Sequence, residues 1–213
     1  MKPSHLRLVQ RSRPAPPAHI MERADWFEPD QAGLGDWVRR TFIEDDGPLY
    51  NPRHGHLIDA QIGWLWATGE CKSKDRMVAG QCQLVAPVQA KWPSQRQHFQ
   101  LQQWFGSVPD FLITISAPHA HYMDDWSFCA LIEHELCHAA QDVDPSGMPR
   151  FNRDGMPIFR LVGHDVEEFH DVVERYGARA AGVDHMVALA NAGPTIGQAQ
   201  MTLACATCER KVA

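Results

Sequence analysis

Two histidines four residues apart on one helix-forming segment constrain this chain more than any other feature. The segment, residues 126–141, carries apolar residues at helical spacing, and Asp124 or Asp125 precedes it as the predicted N-cap. Within it, residues 134–138 read His-Glu-Leu-Cys-His, which has the form HExxH. Residues four apart lie one turn apart on the same helix face, so both imidazoles can reach one metal ion.

Glu135, between the two histidines, suggests the chemistry. It points about 100° around the helix from His134, so it does not bind the same ion comfortably, but it can hydrogen-bond a water on that ion. Zinc acidifies such a water, and a carboxylate can accept its proton as the water attacks a carbonyl group. The motif therefore predicts a zinc-dependent peptidase in which His134 and His138 bind Zn²⁺ and Glu135 is the general base.

A catalytic zinc site takes a third protein ligand and keeps the fourth position for water. The candidates downstream are His164, Glu167, Glu168 and His170. Asp165 and Glu168 have the spacing of a capping box, and Glu167 lies opposite the apolar stripe of the following helix. His164 stands in the loop before that helix, from which it can turn inward, and we expect it to be the third ligand. The alternative is a site of two histidines and one glutamate, from Glu167 or Glu168.

The composition is that of an ordinary globular protein. The chain has 213 residues, 44% of them hydrophobic and 22% charged, which suffices for one core with tails. No apolar run is long enough to cross a bilayer, and the basic N-terminus lacks the apolar stretch of a secretory signal. We therefore expect a cytoplasmic protein without a membrane partner. The formal charge of −6 argues against a protein whose whole surface binds nucleic acid. The short basic segment at the N-terminus could still contact a nucleic acid.

Six cysteines do not make a disulfide framework in a chain of this length, so they are expected to be thiols or metal ligands. Cys205-Ala-Thr-Cys208 has the spacing of half a zinc ribbon. A remnant, a redox pair and a half-site completed by another chain are the alternatives. We expect the HExxH site to keep its metal and its activity without this pair.

The pattern of elements predicts an α+β fold with a small, mainly antiparallel sheet. Strand-forming patterns occupy residues 56–68, 77–88 and 110–116, and helix-forming patterns occupy residues 94–105, 126–141 and 166–176. The first two strand segments are predicted to form a hairpin, and residues 149–162 a second one with Asp154-Gly155 as its turn.

The chain divides into three predicted parts. Residues 1–20 are rich in Pro and Arg without periodicity, and we expect a disordered basic arm there. Residues 21–178 form the predicted metallopeptidase domain. Residues 179–213 form a C-terminal helical tail that ends with the CxxC pair.

The motif and its surroundings resemble a known group. His134-Glu-Leu-Cys-His138-Ala-Ala, followed by Gly163-His164 and Phe169, resembles the SprT-like (Spartan) metalloproteases and, more closely, metallopeptidases of phages and prophages. The SprT-like third ligand is the His of a Gly-His-Gly-x-x-Phe segment, which His164 matches. Asp165 replaces the second Gly, and one extra residue precedes Phe169. The resemblance implies a zincin-like fold around an HExxH helix, in a bacterial or phage-infected cell.

The leading hypothesis is therefore a zinc metalloendopeptidase that acts on a protein or peptide substrate. Strand 111–116 is expected to bind an extended polypeptide by edge pairing. One alternative is a zinc-stabilised phage or host-interaction binding module that cleaves nothing. Another is a DNA-associated protease of the SprT-like type. The substrate and the oligomeric state do not follow from the sequence.

Overall fold

The computed structural model describes residues 13–73, 76–166, 170–179, 182–200, 204, 205 and 207. Its strands are β1 (Phe27–Pro29), β2 (Ile62–Ala67), β3 (Lys72–Ser73), β4 (Arg76–Leu84), β5 (Phe111–Ser116), β6 (Ala139–Gln141), β7 (Phe159–Leu161) and β8 (Ala204–Cys205). Its α-helices are α1 (Leu34–Val38), α2 (Trp92–Phe105), α3 (Ala117–Tyr122), α4 (Asp125–His138), α5 (His170–Tyr176) and α6 (Asp184–Ala192). Short 3₁₀ turns occupy Ala18–Ile20 and Pro52–Asp59, and a π-helical turn, Arg39–Ile43, continues α1.

The main sheet has the strand order β1-β2-β5-β4-β3, and β8 also pairs with β4. The β2–β5 and β4–β8 pairs are parallel, whereas the β1–β2, β4–β5 and β3–β4 pairs are antiparallel. The described part of the chain is therefore a mixed α/β domain with a small sheet and several helices.

The sheet differs from the predicted one at its centre. The sequence predicts a hairpin of residues 56–68 with residues 77–88, and this prediction is wrong because β5 lies between β2 and β4. Ile113 of β5 is opposite Trp64 on one side and Cys82 on the other. Ile113 and Leu112, on opposite faces of β5, are both buried, and a strand that is apolar on both faces belongs inside a sheet. Since both edges of β5 are paired, the prediction that it binds a peptide by its edge is also wrong.

The predicted turn at Asp154-Gly155 is present, with Gly155 in the left-handed region at φ +79°. Phe151 and Pro157 are opposite each other across this turn, as the predicted hairpin requires. The end of the predicted hairpin, β7, pairs instead with β6, with Ala139 opposite Leu161. This ribbon, β6–β7, starts directly after α4 and returns the chain to the end of that helix. It also explains why α4 ends at His138 rather than at residue 141.

Helix α4 is the main contributor of helical residues to the core. Its apolar side is buried under the sheet, with Phe128, Leu131, Ile132 and Leu136 all at most 1% exposed. The core also includes Ile20, and the Arg13 guanidinium lies 4.2 Å from the centre of the Phe128 ring. Both residues fall within the range predicted as a disordered arm. Among the described residues, no helix is long and apolar enough to span a membrane.

The N-cap of α4 gives a first prediction. The Asp124 carboxylate accepts hydrogen bonds from the Ser127 backbone N–H (3.0 Å) and hydroxyl (2.7 Å). We expect Asp124→Ala to lower the free energy of unfolding by about 1 kcal/mol, whereas Asp124→Asn, which still caps, should retain most of it. Chemical denaturation of both variants at neutral pH measures this. An alanine variant as stable as wild type would contradict the capping role.

The cap should also depend on pH. The hydrogen bonds from Ser127 hold the pKa of Asp124 below its ordinary value. The stabilisation from the ionised cap is therefore complete above that ordinary value and is lost as the pH falls through the lowered pKa. The stability difference between wild type and Asp124→Ala should accordingly shrink in strong acid.

Candidate metal centre

Three histidine rings converge at the C-terminal end of α4. The Nε2 atom of His134 lies 3.3 Å from that of His138 and 3.1 Å from that of His164. Zinc bound tetrahedrally at about 2.0–2.1 Å from each nitrogen places two such nitrogens about 3.3 Å apart. The spacing of the three nitrogens therefore suits one shared ion. His138 is buried and His164 is exposed, so the cluster opens to solvent on the side of His164.

The β6–β7 ribbon orients the His138 ring and leads into the loop that carries His164. His138 Nδ1 donates to the carbonyl oxygen of Val162 at 2.7 Å, because a carbonyl can only accept. With the proton on Nδ1, the Nε2 atom presents its lone pair to a metal. The Val162 N–H in turn donates to the His138 carbonyl at 3.0 Å. The ribbon thus holds the His138 ring and, two residues further on, the loop that carries His164.

Cys205 lies in the same cluster, which sequence analysis did not foresee. Its Sγ is 3.4 Å from His138 Nε2, and the ligand atoms of His134, His138, His164 and Cys205 all lie within 4.8 Å of one another. A nitrogen and a sulfur on one tetrahedral zinc are about 3.6 Å apart. The thiol arrives there because β8 runs parallel to β4, with Cys205 opposite Gly80. Cys208, the other member of the pair, is outside the described residues.

Glu135 is fully buried beside the histidines. Its Oε2 accepts a hydrogen bond from the Thr207 hydroxyl at 3.3 Å and lies 3.8 Å from Cys205 Sγ. Its Oε1 has no hydrogen-bond partner among the described residues. Burial raises the pKa of Glu135 to about 8, and a divalent cation at the histidines would act in the opposite direction. The arrangement can therefore offer a carboxyl group for proton transfer next to a metal.

Gly80 in β4 makes room for that carboxyl group. A Cβ atom at position 80 would lie 2.6 Å from Glu135 Oε1, a distance that real Cβ atoms essentially never show, and 3.0 Å from its Cδ. Sequence analysis did not single out this residue. A glycine inside a strand pattern, which often marks a close approach of another group, was the available signal.

Polar contacts from residues 51–56 also hold the C-terminal part of α4. Glu133 Oε1 accepts a hydrogen bond from Asn51 Nδ2 at 2.8 Å and lies 3.8 Å from Nε2 of the buried His54. Hydrogen bonding lowers the pKa of Glu133, and His54 contributes more to this than Asn51. His56 Nε2 donates to the Ala139 carbonyl oxygen at 2.8 Å. These bonds tie the end of the helix to the 3₁₀ turn Pro52–Asp59.

His170, the rival third ligand among the described residues, is not part of the cluster. It begins α5 and is exposed. Glu167 and Glu168 lie outside the described residues, so their assignment stays a question for experiment.

One comparison with known proteins gives a match. The model of a family described as putative phage metallopeptidase matches residues 35–191, well over half of the chain. The matched range contains the three histidines and Glu135, and it ends before Cys205. No curated protein and no solved structure was found to match the chain.

Proposed function

Because the chain belongs to the putative phage metallopeptidase family, we propose that it is a zinc-dependent endopeptidase of the HExxH type. His134, His138 and His164 hold Zn²⁺, and Glu135 is the general base. The observation that carries the proposal is the convergence of three imidazole nitrogens, 3.1 and 3.3 Å apart, beside a fully buried carboxyl group. Imidazole nitrogens in this number and spacing fit zinc, which prefers nitrogen and sulfur ligands.

A zinc ion supplies a Lewis acid that lowers the pKa of water and polarises a carbonyl group. The residues of this chain do the rest. The Val162 carbonyl keeps His138 in the tautomer that leaves Nε2 for the metal. Glu135 accepts the proton of the attacking water and delivers it to the leaving amine nitrogen as the peptide C–N bond breaks. Gly80 keeps the space in which the Glu135 carboxyl group sits.

The test is metal-dependent cleavage by the full chain. The protein is purified, stripped with a chelator, and assayed against a mixed unfolded protein substrate before and after Zn²⁺ is restored. We expect one bound zinc per chain and cleavage that disappears on stripping and returns with zinc. Cleavage that survives complete removal of the metal would show that another site is responsible.

A zinc-stabilised binding module without proteolysis is the second candidate, and Cys205 is the observation that favours it. Structural zinc sites carry four protein ligands, and Cys205 brings the number of donors in the cluster to four. Glu135 favours the peptidase, because a purely structural site needs no general base. A DNA-associated protease is distinguished from both by cleavage that requires added DNA.

The space at Gly80 gives a prediction for the proposed reaction. We expect Gly80→Ala to displace the Glu135 carboxyl group, because the added methyl group would overlap Oε1. Displacing a catalytic group by about 1 Å can cost roughly a hundredfold in rate, so kcat/KM should fall by about that factor while zinc content stays unchanged. Gly55→Ala is the matched control, since a Cβ there meets no atom within 4 Å. Equal rates for both variants would remove Gly80 from the mechanism.

A further inference from the structure

We propose that Cys205 is the fourth protein ligand of the metal site, and that the segment carrying it closes the site in the resting protein. The proposal rests on the function proposed above and adds its regulation. Its starting point is that four donor atoms, three imidazole nitrogens and one sulfur, lie within 4.8 Å of one another. Four protein donors complete a tetrahedral zinc site, so no position is left for a water molecule.

The distances favour coordination over a chance approach of the thiol. Cys205 Sγ is 3.4 Å from His138 Nε2, close to the separation of about 3.6 Å that a nitrogen and a sulfur adopt on one tetrahedral zinc. The Thr207 backbone N–H lies 3.3 Å from the same sulfur as a hydrogen-bond donor. A donor of this kind stabilises the negative charge that a sulfur carries once its proton has left to solvent and it binds a metal.

The segment is docked by contacts on both sides of Cys205. The Gln200 N–H donates a hydrogen bond to the Ser127 hydroxyl oxygen at 3.1 Å. Beyond the cysteine, the Thr207 hydroxyl accepts from the Cys82 N–H at 2.7 Å. The described residues on either side of Cys205 are therefore anchored at the first turn of α4 and at β4.

The same segment also covers the proposed general base. The Thr207 hydroxyl lies 3.3 Å from Glu135 Oε2, and Cys205 Sγ lies 3.8 Å from the same oxygen. Two groups that a substrate requires, the open metal position and the base, are thus both engaged by the protein's own chain. Since a purely structural zinc site needs no buried carboxylate, the closed arrangement is a resting state of a catalytic site.

The pairing of β8 with β4 indicates which kind of substrate could take the place of β8. Among the described residues of this segment, Ala204 and Cys205 pair with β4, opposite Val78 and Gly80 with an irregularity between them. Displacing the segment exposes the backbone of β4 beside Glu135. An exposed strand edge binds an extended polypeptide by the same hydrogen bonds. The substrate class that fits is therefore an unfolded protein segment, lying along β4 in the place of β8.

Cobalt spectroscopy tests the ligand directly, without any assay of activity. Co²⁺ is loaded into the full-length wild type, Cys205→Ala and Cys71→Ala; Cys71 is exposed and serves as the matched control. We expect a sulfur-to-cobalt charge-transfer band in wild type and Cys71→Ala that is lost in Cys205→Ala. Zinc affinity, measured by chelator competition, should fall by about tenfold or more in Cys205→Ala alone. A wild-type spectrum without the band would overturn the assignment.

Thiol alkylation adds a second readout that needs no variant at the site. In zinc-loaded wild type we expect iodoacetamide to modify Cys71 quickly and Cys205 slowly, and removal of zinc to speed up only Cys205. Gly197→Ala should also speed up Cys205, because a Cβ there would lie 2.5 Å from the Trp126 ring and push the segment away. Equal rates at Cys71 and Cys205 in the zinc-loaded protein would overturn the closed state.

Activity then separates the two proposals. If the segment closes a working peptidase, zinc-loaded Cys205→Ala should cleave an unfolded protein substrate at least about tenfold faster than wild type. If the charge-transfer band is present but wild type and Cys205→Ala cleave at equal, Glu135-dependent rates, Cys205 is a ligand but its segment does not close the site. The band with no cleavage by either protein would overturn the proposed function and leave Cys205 as the fourth ligand of a structural site.

Discussion

Glu135→Gln should keep its zinc and its fold and lose hydrolysis by a factor of about 10² to 10⁴, the usual contribution of a general acid–base group. The amide has nearly the shape of the carboxyl group and can occupy the space beside Gly80. It cannot accept the proton of the attacking water. Because Glu135 is not one of the donors in the metal cluster, metal content should not change.

Zinc content and kcat/KM are measured on the same preparations. The Glu135→Gln substitution is made both in wild type and in the Cys205→Ala variant. Glu174→Gln is the matched control, since it makes the same chemical change at an exposed position on α5. Hydrolysis by Glu135→Gln at the wild-type rate would show that the mechanism proposed here is wrong. Loss of zinc from this variant alone would instead make Glu135 a ligand.

The largest change in metal binding is expected for His164→Ala. The Nε2 atom of His164 lies 3.1 Å from that of His134. Removing this imidazole takes away one proposed bond to the metal and the preorganisation that the loop provides. We expect the zinc affinity to fall by about a hundredfold or more. Glu167→Ala should have little effect on the metal. Glu168→Ala should cost about 1 kcal/mol of stability through the predicted capping box and keep zinc.

Zinc titration of the three variants decides between the two types of site. A metal-free Glu168→Ala beside a zinc-bound His164→Ala would exclude the three-histidine site and favour two histidines with one glutamate. Circular dichroism of each variant shows whether a change in zinc affinity reflects a lost ligand or a lost fold. Repeating the His164 titration in Cys205→Ala shows how far the sulfur compensates for the missing imidazole.

The periodicity of short segments predicted the helix and the strand that those segments form. The helix with residues 134–138 and strand 111–116 follow from periodicity, and α4 and β5 occupy those positions. The nearness of His164 to His134 was predicted from its place in the loop, and the structure brings the two rings together. Whether these histidines bind the metal stays a prediction.

The sequence did not predict the features that depend on pairing between distant segments of the chain. The hairpin of β2 with β4 failed because adjacent strand patterns do not reveal that a later strand inserts between them. Cys205 was set apart from the metal site because its distance in sequence gave no hint that β8 pairs with β4. Pairing of distant segments decides each of these cases.

The β6–β7 ribbon determines how the length of the chain between His138 and His164 affects their spacing. An unstructured connection from His138 to His164 would oppose metal binding by its loop-closure entropy, which rises with length. The ribbon brings the two ends together by backbone pairing, and the bonds between His138 and Val162 fasten them at its base. Extra residues at the turn around Asp154-Gly155 should therefore leave the spacing of the histidines unchanged, so we expect this chain to tolerate insertions at that turn.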